Sequence, residues 1–166
     1  MAGISGYSGL PRSGKSYSVT EHSILPALKN GITVYSNIPM NDELLAEDGY
    51  SLPNYYELSD IRGDDDWFHN LDKGALVVID EFQNLYPAGT TSSNMPERHR
   101  EFFTQFGHMV GENGKTTEIV VISQDLGNIC NFVRKLIAYT YRTTKMDVVG
   151  QSGKFRVDIY QGPVTG

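Results

Sequence analysis

Gly9-Leu10-Pro11-Arg12-Ser13-Gly14-Lys15-Ser16 satisfies G-x-x-x-x-G-K-[ST] at every fixed position. The spacing serves a physical end. Glycines let the backbone fold tightly enough for several N–H groups to point inward at the β- and γ-phosphates of a nucleotide, and the helix that follows brings its positive end to the same place. Lys15 adds a point charge and the Ser16 hydroxyl a ligand for Mg²⁺. The candidate nucleotide-binding segment is therefore Gly9, Leu10, Pro11, Arg12, Ser13, Gly14, Lys15, Ser16 and the adjoining Tyr17. Such a loop needs a strand before it and a helix after it. Residues 2–8 pattern as a strand weakened by glycines. Residues 15–29 pattern as a helix with Tyr17, Val19, Ile24, Leu25 and Leu28 as its apolar and aromatic positions, closed by Asn30-Gly31. Pro26 should kink or shorten that helix.

Farther along, Leu76-Val77-Val78-Ile79-Asp80-Glu81 is an apolar run delivering two carboxylates to its end. An apolar run of this kind marks a strand buried on both faces, and its C-terminal end is where ligands bind in open α/β sheets. Asp80 is placed to hold Mg²⁺ through a water. Glu81 points elsewhere because strand side chains alternate, and is placed to polarise a water in line with the γ-phosphate. An apolar strand ending in Asp-Glu says little alone, but beside the glycine loop it predicts hydrolysis.

The rest of the chain alternates short apolar runs with helical patterns, so the fold class is α/β. Strands are expected at 2–8, 32–35, 75–79, 119–122 and 138–145, with 155–160 returning as a hairpin through Gly150-Gln151-Ser152-Gly153. The interval between Lys15 and Asp80 holds one further strand pattern. This fits the P-loop NTPases in which another strand lies between those carrying the loop and the carboxylates. With 119–122 as that strand, the prediction is a three-layer sandwich with a mostly parallel sheet of order 5-1-4-3-2 and a C-terminal edge hairpin. A helix is expected from Pro96, with Asn94 as its cap, to about Val110, and another at 128–137. Residues 41–67 are polar, with short helices that the pattern does not place.

Composition bounds the function. The chain has 166 residues, enough for one domain over 1–166, with ordinary globular usage of 39% hydrophobic and 20% charged residues. Its formal charge of −6 argues against a surface basic all over, as a non-specific duplex-DNA binder would have. Asp64-Asp65-Asp66 and Arg98-His99-Arg100 are the densest charge patches, read as solvated faces. Cys130 is the only cysteine, which points to a reducing compartment, and no run approaches the ~20 apolar residues of a spanning helix.

Gln124 follows the 119–122 strand directly, where a polar side chain would sense the γ-phosphate. Arg134, in the next helix, is a candidate arginine finger for a neighbouring subunit, with Arg98, Arg100 and Arg142 as competitors and an ion pair or solvated helix face as the plainer role. His99 and His108 are spaced wrongly for a helical metal pair and are read as structural. Thr144-Lys145-Met146-Asp147 mimics a guanine-reading motif, but Asp80-Glu81-Phe82-Gln83 lacks the glycine of the GTPase switch, so ATP is favoured.

On the loop at Gly9–Ser16, Trp67 ahead of Gly74 to Glu81, His108 before a strand closing in Ser123-Gln124, and Arg134 beyond it, the chain resembles the N-terminal domain of the Zot (zonular occludens toxin) family. That family includes filamentous-phage assembly ATPases. The resemblance implies a homo-oligomeric ring at the cytoplasmic face of the host inner membrane. It would use ATP and Mg²⁺ to drive export of single-stranded phage DNA together with other phage assembly proteins. It also implies a membrane helix and periplasmic part beyond residue 166. Arg12 departs from the small residues common there, so its side chain must swing away from the phosphates or lend them charge.

Overall fold

The computed structural model describes residues 3–146 and 154–166. Its strands are β1 (Ile4–Ser8), β2 (Val34–Ser36), β3 (Asn54–Tyr55), β4 (Leu76–Ile79), β5 (Glu118–Ile122), β6 (Ile137–Lys145) and β7 (Phe155–Gln161). They form one sheet of order β3-β2-β4-β5-β1-β6-β7, parallel throughout except for the antiparallel β6–β7 pair. The five strands expected from the sequence thus lie in the expected order, with β5 between β1 and β4. The addition is β3, whose two exposed residues carry no apolar signal. The turn expected at 150–153 and Asp147 of the guanine-motif mimic lie outside the described residues.

Alternation along the buried strands gives the sheet two dry faces. Leu76 and Val78 of β4 join Tyr7, Val34 and Ile122 under the helix that follows the glycine loop. Val77 and Ile79 face the other way, with Ile4, Val121 and a cluster of aromatic side chains including Phe68, Phe82, Phe102 and Phe103. Fully burying side chains of this kind stabilises by about 1.5–3 kcal/mol each, so these two layers fix where the strand ends fall.

The helix after the loop begins as α1 (Lys15–Val19), widens into a π-turn at Thr20–Ile24 and continues as α2 (Leu25–Lys29). The wide turn ahead of Pro26 accommodates a ring with no N–H to donate, so the helix is distorted rather than broken. The polar stretch supplies α3 (Asp42–Glu47), whose Asn41 cap accepts from the Leu44 N–H, and α4 (Leu58–Arg62), with a reciprocal Glu57/Asp60 capping box. On the opposite face α5 (Glu97–Gln105) starts one residue after Pro96 and passes into a 3-10 turn at Phe106–His108. Asn94 lies in a preceding 3-10 turn and does not cap it. The helix expected at 128–137 contracts to α6 (Asn131–Arg134), because Ile137 is already paired beside Ile4 in the sheet. Strand pairing overrides helical periodicity there.

The two charge patches meet. Arg98 Nε lies 2.7 Å from Asp66 Oδ1, while His99 is fully buried, with Nε2 2.9 Å from the Asp64 carbonyl oxygen and Nδ1 bonded to the Tyr86 hydroxyl. His99 is structural, as expected, but it belongs to the core and not to a solvated face.

The last residues turn back over the sheet edge. Gly162 N–H donates to the Ala138 carbonyl at 2.7 Å. The Thr140 hydroxyl donates to the Gly162 carbonyl at 2.8 Å and accepts from Val164 N–H at 3.0 Å. Gly166 N–H reaches Asp125 Oδ1 at 3.1 Å, and its carbonyl accepts from Arg142 at 2.7 Å.

Candidate nucleotide-binding site

β1 and β4, separated by β5, open at the same sheet edge, so the glycine loop after Ser8 and the carboxylates after Ile79 emerge side by side. The loop's shape depends on its glycines. Gly9 has φ +149, and a Cβ there would stand 2.4 Å from Ser13 Oγ and 2.6 Å from the Thr143 carbonyl oxygen. Its N–H donates to the Gln124 carbonyl at 3.0 Å, tying the loop's entrance to the end of β5. Ser13 is buried, and its hydroxyl donates to that of Thr143 at 2.6 Å, since the Thr143 hydroxyl hydrogen is given to the Ser8 carbonyl at 3.2 Å. Gly14 has φ +92 and lies directly against the Phe155 ring, where a Cβ would come within 2.6 Å.

Lys15 Nζ donates to the Gly9 and Leu10 carbonyls at 2.9 and 3.0 Å, so its ammonium sits inside the curve of the loop. Burial pulls its pKa down, and Asp80 opposes that fall. Leu10, Pro11, Arg12, Ser16 and Tyr17 are exposed around the mouth. Arg12 adopts φ 61, a left-handed conformation in which its side chain stands out in solvent.

Asp80 is half-buried. Burial raises its carboxyl pKa and the Glu81 carboxylate adds to the rise, opposed in part by the Glu81 N–H bond at 2.8 Å, the Lys15 ammonium and the Ser16 hydroxyl. The glycine loop and the acidic strand end are therefore one electrostatic unit. One residue holds this strand end that the sequence did not reveal. Asn37, just beyond β2, accepts from Asp80 N–H through Oδ1 at 2.7 Å and donates from Nδ2 to the Asp80 carbonyl at 3.0 Å. Only the topology, which places β2 beside β4, exposes that role. Tyr56 adds a hydroxyl bond to the Val78 carbonyl at 2.6 Å.

Glu81 occupies the left-handed region at φ 52, one of two described non-glycine residues to do so, the other being Arg12. Its exposed carboxylate accepts from Asn84 Nδ2 at 3.3 Å. Such backbone conformations cost about 1–3 kcal/mol and cluster at functional positions. Gln124 is exposed beside the loop entrance. Arg134 is employed within its own chain. Its Nη1 donates to the Gly127 and Ile129 carbonyls at 3.2 and 3.3 Å, and its Nη2 to Asn131 Oδ1 at 3.2 Å. Of its competitors, Arg98 is taken up by Asp66 and Glu101, and Arg142 lies over the Tyr160 ring at 5.6 Å.

A hollow of about 730 Å³ opens at the opposite ends of the strands between Gly3, Ala75, Glu118 and Ala138. Its lining holds none of the loop or carboxylate residues, so cavity size does not locate this site. Among the described residues no group of three or more His, Cys, Asp or Glu is arranged to hold a metal. The Ser16–Asp80 pair nonetheless fits a Mg²⁺ that takes most of its ligands from water and phosphate.

A parallel sheet with an extra strand between a glycine loop and an acidic strand end defines the P-loop NTPase fold. The family model for zonular occludens toxin (Zot) matches residues 4–163, and the chain belongs to that family. Among solved structures, the N-terminal domain of zonular occludens toxin from Neisseria meningitidis superposes with a TM-score of 0.63 at 20% identity, covering 100% of this chain and 87% of that one. The genome packaging NTPase B204 of Sulfolobus turreted icosahedral virus 2, in complex with AMP, superposes with a TM-score of 0.57 at 17% identity and 98% coverage of both chains. In sequence, the chain is 25% identical to the Gene 1 protein of Xanthomonas phage phiLf over 92% of its own length, and spans 37% of that protein.

Proposed function

We propose that this chain binds ATP with Mg²⁺ through Gly9–Ser16 and Asp80, hydrolyses it with Glu81, and acts as the motor domain of a phage assembly and export machine. The observation that carries the reading is that β1 and β4 open at the same sheet edge, which brings the loop bearing Lys15 and Ser16 beside the strand end bearing Asp80 and Glu81.

In this reading the loop amides and Lys15 grip the β- and γ-phosphates, while Ser16 and Asp80 hold the metal. Bound Mg²⁺ supplies charge neutralisation on the phosphate oxygens. Glu81 orients and deprotonates the attacking water, and Gln124 senses the γ-phosphate. Since Arg134 is tied to local carbonyls, a role as a finger in trans requires those bonds to be exchanged when subunits meet. Membership in the Zot family supports work in filamentous-phage export at the host inner membrane, by a homo-oligomer handling single-stranded DNA with other assembly proteins. No helix among the described residues is long and apolar enough to cross a membrane. A genome-packaging role is the second reading, suggested by the fold shared with B204 over 98% of both chains.

The decisive experiment titrates ATP against wild type and Lys15→Ala and follows phosphate release from wild type and Glu81→Gln. Loss of affinity in the first variant, and retained binding without turnover in the second, is the expected pattern. Equal inactivity of wild type and Glu81→Gln, with both binding ATP, would instead make the domain a nucleotide-dependent scaffold.

A further inference from the structure

Tyr17 and Phe155 come together from distant parts of the chain beside the phosphate loop. Tyr17 lies two residues past Lys15 in α1 and is 60% exposed. Phe155 opens β7, on the edge strand added beyond β6. Their ring centroids are 5.9 Å apart, inclined at 35°. Phe155 roofs the backbone of Gly14, the last glycine of the loop, and Tyr17 prolongs that roof outward from the mouth. A ring exposed to this extent contributes little to the core, so packing alone leaves most of its π-face unexplained.

The chemistry of the neighbouring loop says which ligand that face suits. Lys15 serves the β- and γ-phosphates and Ser16 the metal, so the α-phosphate, sugar and base of a bound nucleotide must extend away from Asp80. Resting on the reading of Gly9–Ser16 as a triphosphate site, we propose that Tyr17 and Phe155 form the stacking platform for the nucleobase. A platform of two rings reads a π-face rather than a pattern of donors and acceptors, so it accepts adenine and guanine alike. The preference for ATP is then weak at the binding step.

Calorimetric titration of ATP, GTP and inorganic tripolyphosphate against wild type, Tyr17→Ala, Tyr17→Trp, Phe155→Leu and Lys15→Ala tests this. Tyr17→Ala should weaken ATP and GTP about ten-fold, equal to about 1.4 kcal/mol, and leave tripolyphosphate unchanged. Tyr17→Trp should restore or tighten both nucleotides. Phe155→Leu keeps an apolar cover on Gly14 but should lose affinity for the nucleotides alone. The platform is overturned if folded Tyr17→Ala and Phe155→Leu bind ATP as wild type does. It is equally overturned if they lose ATP and tripolyphosphate together, because the rings would then only support the loop. Failure of the underlying site looks different: Lys15→Ala would bind ATP and tripolyphosphate no more weakly than wild type.

Discussion

Replacing Asn37 with alanine removes a side chain that holds both the N–H and the carbonyl of Asp80, at 2.7 and 3.0 Å. Each hydrogen bond contributes a net of about 0.5–1.5 kcal/mol, so the loss is about 1–3 kcal/mol. For a domain of this size 1 kcal/mol moves the melting temperature by roughly 2–4 °C, which predicts a fall of about 2–12 °C. The functional loss should be larger. A reacting group displaced by about 1 Å can cost on the order of 100-fold in rate, and Asp80 without its clamp has lost what fixes its peptide. Asn37→Asp sharpens the test, since it preserves the acceptor for Asp80 N–H but turns the donor into an oxygen facing the Asp80 carbonyl. It should melt below Asn37→Ala. Thermal melts, nucleotide titration and phosphate release on the same preparations give the answer. An alanine variant that melts within about 1 °C of wild type and releases phosphate at the wild-type rate would refute the clamp.

Glu81→Gly should relieve left-handed strain of about 1 kcal/mol and raise the melting temperature slightly while abolishing phosphate release, a trade visible only if both are measured. Gly14→Ala should lose nucleotide binding and stability together, because φ +92 and the Phe155 ring both exclude a methyl group, as titration and melting would show. Arg134→Ala should lower the melting temperature of the dilute domain by several degrees as about 1–3 kcal/mol of charged hydrogen bonds is lost; unchanged melting with lost activity would mark a finger instead. The Asp125 carboxylate is held below its usual pKa, first by the Gly127 N–H and then by Gly166. Its contribution is thus complete above the unfolded value near about 4 and lost as pH falls through the lower folded one. Acid melts of Asp125→Asn should be flatter over that window.

The order of the five main strands could be read from sequence because β4 and β5 leave apolar runs, and β1 and β4 end in chemistry that must meet. Other features left no such mark. β3 is two exposed residues, and the Ile137 boundary was decided by strand pairing with Ile4 rather than propensity. The site divides in the same way. Lys15, Ser16, Asp80 and Glu81 announce themselves through spacing. Asn37 and Phe155 act only because the fold carries them across the sheet edge, and Arg134 looks free in sequence although its donors are taken by carbonyls five to eight positions away and by the Asn131 side chain.

Gly9, Gln124 and Asp125 are consecutive links in one chain of hydrogen bonds and peptide bonds, and Gly166 is the next, through its grip on Asp125. A shift of the β5 end by a few tenths of an ångström would therefore tug on residues 162–166 as a tie-rod tugs on a lever. Tension applied to those residues would in turn reach the mouth of the loop without crossing the core.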